Sequence, residues 1–213
     1  MDFGGLYATN CAACHGIDGK LGPAPPLNDP IFLAIVSDDE LLRVITNGRA
    51  VSPAQKTPMP AFLRSQGGPL TTEQVAVLAH GIKQRWPALK PAPSSLPPYR
   101  AAATAGGGQK SVGAGVFGRA CAGCHGSEGQ GGKNREREIG ALHDQAFLAL
   151  ISDQALRRYA ITGRPDLEMP AFDGHDGRGA DFRPLSSTEI ADLVAFLASW
   201  RDEPHTGESG TGK

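Results

Sequence analysis

The stretch CAACHG, Cys11 to Gly16, decides how this chain is read, and it returns as CAGCHG from Cys121 to Gly126. In each, two thiols stand one helical turn apart with an imidazole directly behind the second. All four cysteines of the chain lie in these two stretches, so none remains for a structural disulfide. A zinc site needs four ligands brought together, and these pairs lie 110 residues apart in separate helical contexts. A thioredoxin-like pair sits at a strand-to-helix junction, and no parallel-strand pattern precedes either stretch. Covalent haem attachment has Cys-x-x-Cys-His as its specific signature. Two thiols so spaced reach the vinyl groups along one porphyrin edge, and the next residue points inward as an axial nitrogen ligand. Cys11, Cys14, Cys121 and Cys124 are therefore expected thioether positions, His15 and His125 expected iron ligands, and two haem c the expected cofactors.

The second half restates the first. Asn28 to Arg49 aligns without gaps on His143 to Arg164, and Pro69 to Trp86 on Pro184 to Arg201, both at an offset of 115. The CxxCH stretches and the two MPAF stretches, Met59–Phe62 and Met169–Phe172, share an offset of 110. The loop after the haem motif is thus five residues longer in the second copy, and the loop before its methionine five shorter. The motif is kept while the spacing around it shifts, which gives the Met-Pro element a job. The expected division is residues 1–86 as one domain, 87–111 as a Pro/Gly-rich linker, 112–203 as a second domain, and 204–213 as a disordered tail.

Ser37-x-x-Glu40, Thr71-x-x-Gln74 and Ser186-x-x-Glu189 are capping-box patterns, each opening a segment with apolar residues at helical spacing. A first helix should lead into each CxxCH, from about Phe3 and about Val112, and little reads as strand. The fold class is all-α. The net charge of −1 gives no reason to expect nucleic acid, and no apolar run is long enough to span a bilayer. With aromatics at only 6%, a bound haem would supply much of each small core.

Each half resembles a class I c-type cytochrome: CxxCH near the start, Met-Pro later, a closing helix. The resemblance implies two tandem helical domains, each wrapped around one covalently bound haem. In that family an aromatic four residues before the first cysteine packs the first helix against the last; Tyr7 and Phe117 stand there. A glycine eight residues before the cysteine often permits the close crossing. Gly113 fits, whereas the first copy has Phe3. The family also uses a proline carbonyl to accept the ligand histidine's proton. The first copy offers GPAPPL, Gly22 to Leu27; the second has EIGAL, Glu138 to Leu142, and no proline.

The resemblance implies Met59 and Met169 as sixth ligands. Apart from Met1 they are the chain's only methionines, and both sit in Pro-containing loops rather than on an apolar helix face. Of the other histidines, His175 is the rival ligand in the second copy; His80, His143 and His205 have no repeated role. Arg49 and Arg164, closing the NGR and TGR turns, are candidate contacts for haem propionates, with a solvated helix end as the alternative. Trp86 and Trp200 read as packing residues.

Residues 1–90 carry 8 basic against 7 acidic side chains, residues 116–203 carry 10 against 14, and five acids cluster between Arg164 and Arg183. Carboxylates favour the ferric state, so the second haem is expected at the lower potential. The expected function is a diheme electron carrier in a respiratory or related redox chain, on the periplasmic or extracytoplasmic side. Its partners would be redox proteins, with an oxidase or a quinol-oxidising complex as candidates. The competing reading is a diheme enzyme of the peroxidase or thiosulfate dehydrogenase type, with one haem not stably Met-ligated. A sensor with an exchangeable ligand is a third. With so little chain ahead of Cys11, a removed signal peptide, a removed anchor or a longer parent protein is expected.

Overall fold

A computed structural model describes residues 2–49, 59–90, 95–101, 108–134 and 137–203. The first copy consists of α1 (Phe3–Asn10), α2 (Ala12–His15), α3 (Pro30–Ile35), α4 (Asp38–Asn47) and α5 (Thr72–Arg85). The second repeats the order as α6 (Lys110–Ala120), α7 (Ala122–His125), α8 (Gln145–Leu150), α9 (Asp153–Thr162) and α10 (Ser187–Ser199). Helix α6 begins inside the segment read as linker. The tail and linker residues 102–107 lie outside the described residues, as do His205 and the stretch 50–58.

The caps fall where the side chains allow. Thr71 with Gln74 and Ser186 with Glu189 form reciprocal capping boxes at the starts of α5 and α10. Ser37 accepts from the Glu40 N–H, but the return half is absent because the Glu40 carboxylate turns to Arg43 and Arg100. Among the described residues the only strands form a short antiparallel pair, β1 (Gly132–Asn134) with β2 (Arg137–Ile139). It forms within the longer loop of the second copy, where the two strands satisfy one another's backbone groups.

The helix crossings explain the displaced glycine. In the second copy Gly113 faces Asp192 so closely that a Cβ would strike its carbonyl. The first copy has Phe3 at that position, and its closing helix supplies the small residue instead: a Cβ on Gly81 would strike the Phe3 ring. The residue matching Gly81 in the second copy is Phe196. The same ring thus comes from opposite helices. Phe3 packs on Tyr7 at 5.4 Å and on Trp86 at 6.0 Å; Phe196 packs on Phe117 at 5.6 Å and on Trp200 at 4.9 Å. Tyr7, Phe117, Trp86 and Trp200 are buried, as expected of packing residues.

The linker is strapped down at Pro98 to Arg100. Tyr99 is buried in the core of the first copy, edge-on to Phe32 at 5.7 Å, and accepts from Arg49 Nη2 through its hydroxyl at 3.0 Å. From the second copy, Arg157 Nη2 donates to the Pro98 carbonyl at 2.8 Å and Gln154 to the Tyr99 carbonyl at 2.8 Å. Arg100 forks onto Glu40. Tyr99 therefore links both halves through its ring on one side and its backbone on the other.

Two outcomes follow. Gly81→Phe alone should destabilise by about 3 kcal/mol through overpacking, and adding Phe3→Gly should recover about half, as thermal unfolding of the holoprotein will read. Burial by itself would raise the Glu40 pKa, but hydrogen bonds from Arg43 and Arg100 outweigh it and hold it at about 2, against 4.5 unperturbed. A depressed folded pKa gives stabilisation that is complete above 4.5 and lost as the pH falls toward 2. Arg100→Ala should cost about 1 kcal/mol at neutral pH, since the exposed guanidinium is screened, and should flatten the fall in Tm across that acid window.

Candidate metal centre

After each CxxCH the chain must return a backbone carbonyl to the histidine. In the first copy the Gly19 carbonyl accepts from Leu27 N at 2.7 Å and Asn28 N at 3.0 Å. That closes the loop and places Pro25 O 2.9 Å from His15 Nδ1. In the second copy Gly129 O accepts from Leu142 N at 2.8 Å and His143 N at 2.9 Å, the same closure after the longer loop. The carbonyl delivered there is Gly140 O, 3.4 Å from His125 Nδ1. A proline is therefore not required at this position: the register supplies the acceptor, and Gly140 aligns with Pro25 at the repeat offset. Trp86 and Trp200 lie over Gly19 and Gly129, sealing each loop.

With Nδ1–H donated to a carbonyl, each imidazole keeps the tautomer whose Nε2 lone pair is available to a metal. Burial lowers the His15 and His125 pKa values, which favours the neutral ring a metal needs. Burial also raises the Cys11 thiol to about 11, helped by Cys14, and Cys121 to about 11. These are the opposite of the acidic thiols of redox dithiols. Among the described residues no three His, Cys, Asp or Glu side chains gather as a metal cluster, so the zinc reading finds no site among them. The donor set fits covalently bound haem: a Cys pair on one turn with a neutral, oriented imidazole behind it.

The methionine loops are held by the NGR and TGR turns. Arg49 N donates to Met59 O at 2.8 Å and Arg164 N to Met169 O at 3.0 Å, each pair forming an isolated bridge. Gly48 at φ 66° and Gly163 at φ 64° make this possible. A Cβ at either would strike the methionine carbonyl. The arginine side chains are engaged separately: Arg49 with Tyr99, Arg164 in a two-pronged pair with Asp166 at 2.8–2.9 Å. Of the acids clustered near Met169, Asp166 is so paired and Glu168 lies 3.6 Å from Arg137.

His143 stacks on Trp200 at 4.5 Å, His80 is exposed, and His175 is exposed with its edge on Phe182 at 5.8 Å. Sequence reasoning missed Arg178, in the five-residue insertion after Met169. Its guanidinium donates to Ala120 O at 3.0 Å and Ala171 O at 2.8 Å, tying the approach to Cys121 to the methionine loop. With no counterpart in the first copy, the repeat could not flag it.

Residues 2–80 match the family described as Cytochrome C oxidase, cbb3-type, subunit III, and residues 111–201 match the family described as Cytochrome c. The chain is 38% identical over 80 residues to the Cbb3-type cytochrome c oxidase subunit FixP of Bradyrhizobium sp. (strain ORS 278). That match takes in 36% of this chain and 25% of the relative, so the chain spans about a quarter of the relative's length. Among solved structures it is similar to the KustC0563 c-type cytochrome, at 28% identity and TM-score 0.31 over 40% of this chain and 99% of that one. It is also similar to the Kuenenia stuttgartiensis reducing HAO-like protein complex, at 21% identity and TM-score 0.44 over 92% of this chain and 94% of that one.

Gly48→Ala should cost about 3 kcal/mol, because it combines a left-handed backbone with a collision on the Met59 carbonyl. Gly67, at φ 85° with open space around a built Cβ, is the control: Gly67→Ala should cost about 1 kcal/mol by thermal unfolding.

Proposed function

The chain belongs to the c-type cytochromes, as two such domains in tandem, and we propose that it is a one-electron carrier of a respiratory or related redox chain. The observation that carries this reading is the repetition of one arrangement. In each copy a Cys pair and a carbonyl-held histidine are answered by a methionine loop bridged to a glycine-arginine turn. Cys11, Cys14, His15 and Met59 would hold one haem; Cys121, Cys124, His125 and Met169 would hold the other. Arg49 and Arg164 remain the proposed propionate contacts. Haem c bound there supplies a one-electron iron couple.

The protein's own contribution is to fix that couple. The Pro25 and Gly140 carbonyls orient the imidazoles, and the NGR and TGR turns tether the methionine loops through their backbone. Were Met59 and Met169 to serve as ligands beside His15 and His125, the iron would have no position left for substrate, which is what separates a carrier from a diheme enzyme.

The likeness of residues 2–80 to an oxidase subunit family supports electron delivery to an oxidase, with this chain as a subunit or soluble partner. The covalent attachment chemistry supports the extracytoplasmic side. Among the described residues no helix is long and apolar enough to cross a membrane.

The ferric spectrum decides between carrier and enzyme. Two covalent haems should each contribute the weak red-region methionine–iron band, and Met59→His and Met169→His should each remove about half of its intensity. A band worth one haem in the unaltered protein would overturn the carrier reading in favour of an enzyme with one open or exchangeable site.

A further inference from the structure

One charge of the second copy is spent on the first. Arg158, on α9, aligns with Arg43 on α4, but their surroundings differ. Arg43 lies at the surface and pairs with Glu40 three residues earlier at 2.8 Å. The second copy has Ala155 where the first has Glu40, so Arg158 has no such carboxylate on its own helix. It crosses to the first copy instead and is 6% exposed there. Its Nη2 donates to the Pro26 carbonyl, and its guanidinium lies 3.5 Å from the centre of the Phe32 ring. Its buried Nε has no partner among the described residues. The buried carboxylate facing it, Asp29, is occupied in capping α3, accepting from Phe32 N at 2.6 Å. Burial lowers the Arg158 pKa only to about 10, so it keeps its charge at neutral pH.

Pro26 adjoins Pro25, whose carbonyl holds the His15 Nδ1 proton. A protonated guanidinium from the second domain therefore sits one peptide from the bond that orients the first domain's ligand histidine. We propose that Arg158 is a redox-tuning residue supplied across the domain interface, raising the reduction potential of the haem held by Cys11, Cys14 and His15. This rests on reading that stretch as a haem site. The ferric form carries one more positive charge than the ferrous, so a fixed cation favours reduction, and more strongly in a low-dielectric setting than in water. The couple takes up one electron with no bond made or broken. Burial removes the charge from the reach of salt, unlike the exposed carboxylates near Met169. Counted by position in space, Arg158 belongs to the first domain. It acts in the same sense as the acid-rich second copy, making the first domain the better electron acceptor.

The test is potentiometric titration of the full holoprotein, after haem content and mass confirm two covalent haems per chain. Fewer than two would defeat the haem reading rather than this one. Arg158→Gln keeps a donor for Pro26 and removes the charge. It should lower one of the two couples, the one that Met59→His also displaces, by about tenfold in equilibrium constant, or about 59 mV for one electron. The shift should persist at high salt, and Arg158→Lys should largely restore the potential. Arg157→Gln, which loosens the linker at Pro98 without touching the His15 loop, should leave both couples in place. If Arg158→Gln does not accumulate as holoprotein, Ala155→Glu restores the missing carboxylate three residues away and should lower the same couple. Unchanged potentials in Arg158→Gln or, failing it, Ala155→Glu would overturn the proposal. So would an equal fall in Arg157→Gln, or a shift abolished by salt.

Discussion

An imidazole presents Nε2 to a metal in a fixed direction only while something accepts its Nδ1 proton, and both halves of this chain are organised to supply that acceptor. The loop after each CxxCH is closed on a single carbonyl, at Gly19 or Gly129, which receives two consecutive N–H groups. Closure sets where the chain stands two residues earlier, and there the acceptor carbonyl lies. The longer loop of the second copy holds the β1–β2 pair and still closes on the matching carbonyl. The tryptophan of the closing helix rests on the same glycine, so the last helix, the loop and the histidine are locked by one contact point.

Much of this was legible from the residues. Two CxxCH motifs, two MPAF motifs and a gapless repeat between and after them identify the halves, and capping residues place most helix starts. The illegible parts share a physical cause: they depend on backbone atoms or on pairs of distant positions. No side-chain pattern marks the Gly140 carbonyl as an acceptor, because any residue has one. Phe3 reads as a departure from the glycine rule until it is seen against Gly81. Glu40 satisfies a capping-box pattern, yet two arginines compete for its carboxylate, one of them 60 residues away in the linker. Arg49 and Arg164 invite attention for their charge, while their described contacts to the methionine loops run through the backbone and depend on the glycines before them.

Charge illustrates the same gap between order along the chain and position in space. Sums over each half treat every ionic side chain as belonging to its own domain. In the fold, Asp166 is neutralised by Arg164 two residues away, Glu189 is shared by Arg119 and Arg183, and Arg158 leaves its own domain altogether. The linker adds to this mixing, since Tyr99 lies in one core while its carbonyl is bound by the other half. The electrostatic unit is therefore the pair of domains with its strap.

The exchanged phenylalanine and glycine at the two crossings bear on how a chain of near-duplicates assembles. Helices α1 and α5, or α6 and α10, meet as one ring against one bare backbone. The hybrid of α1 with α10 would bring Phe3 and Phe196 to a slot that holds one ring, and the hybrid of α6 with α5 would leave Gly113 and Gly81 facing an empty one. Tandem repeats risk trading elements with their siblings while folding. Here each opening helix recognises its own closing helix by shape, and a trade between halves is penalised on both sides at once.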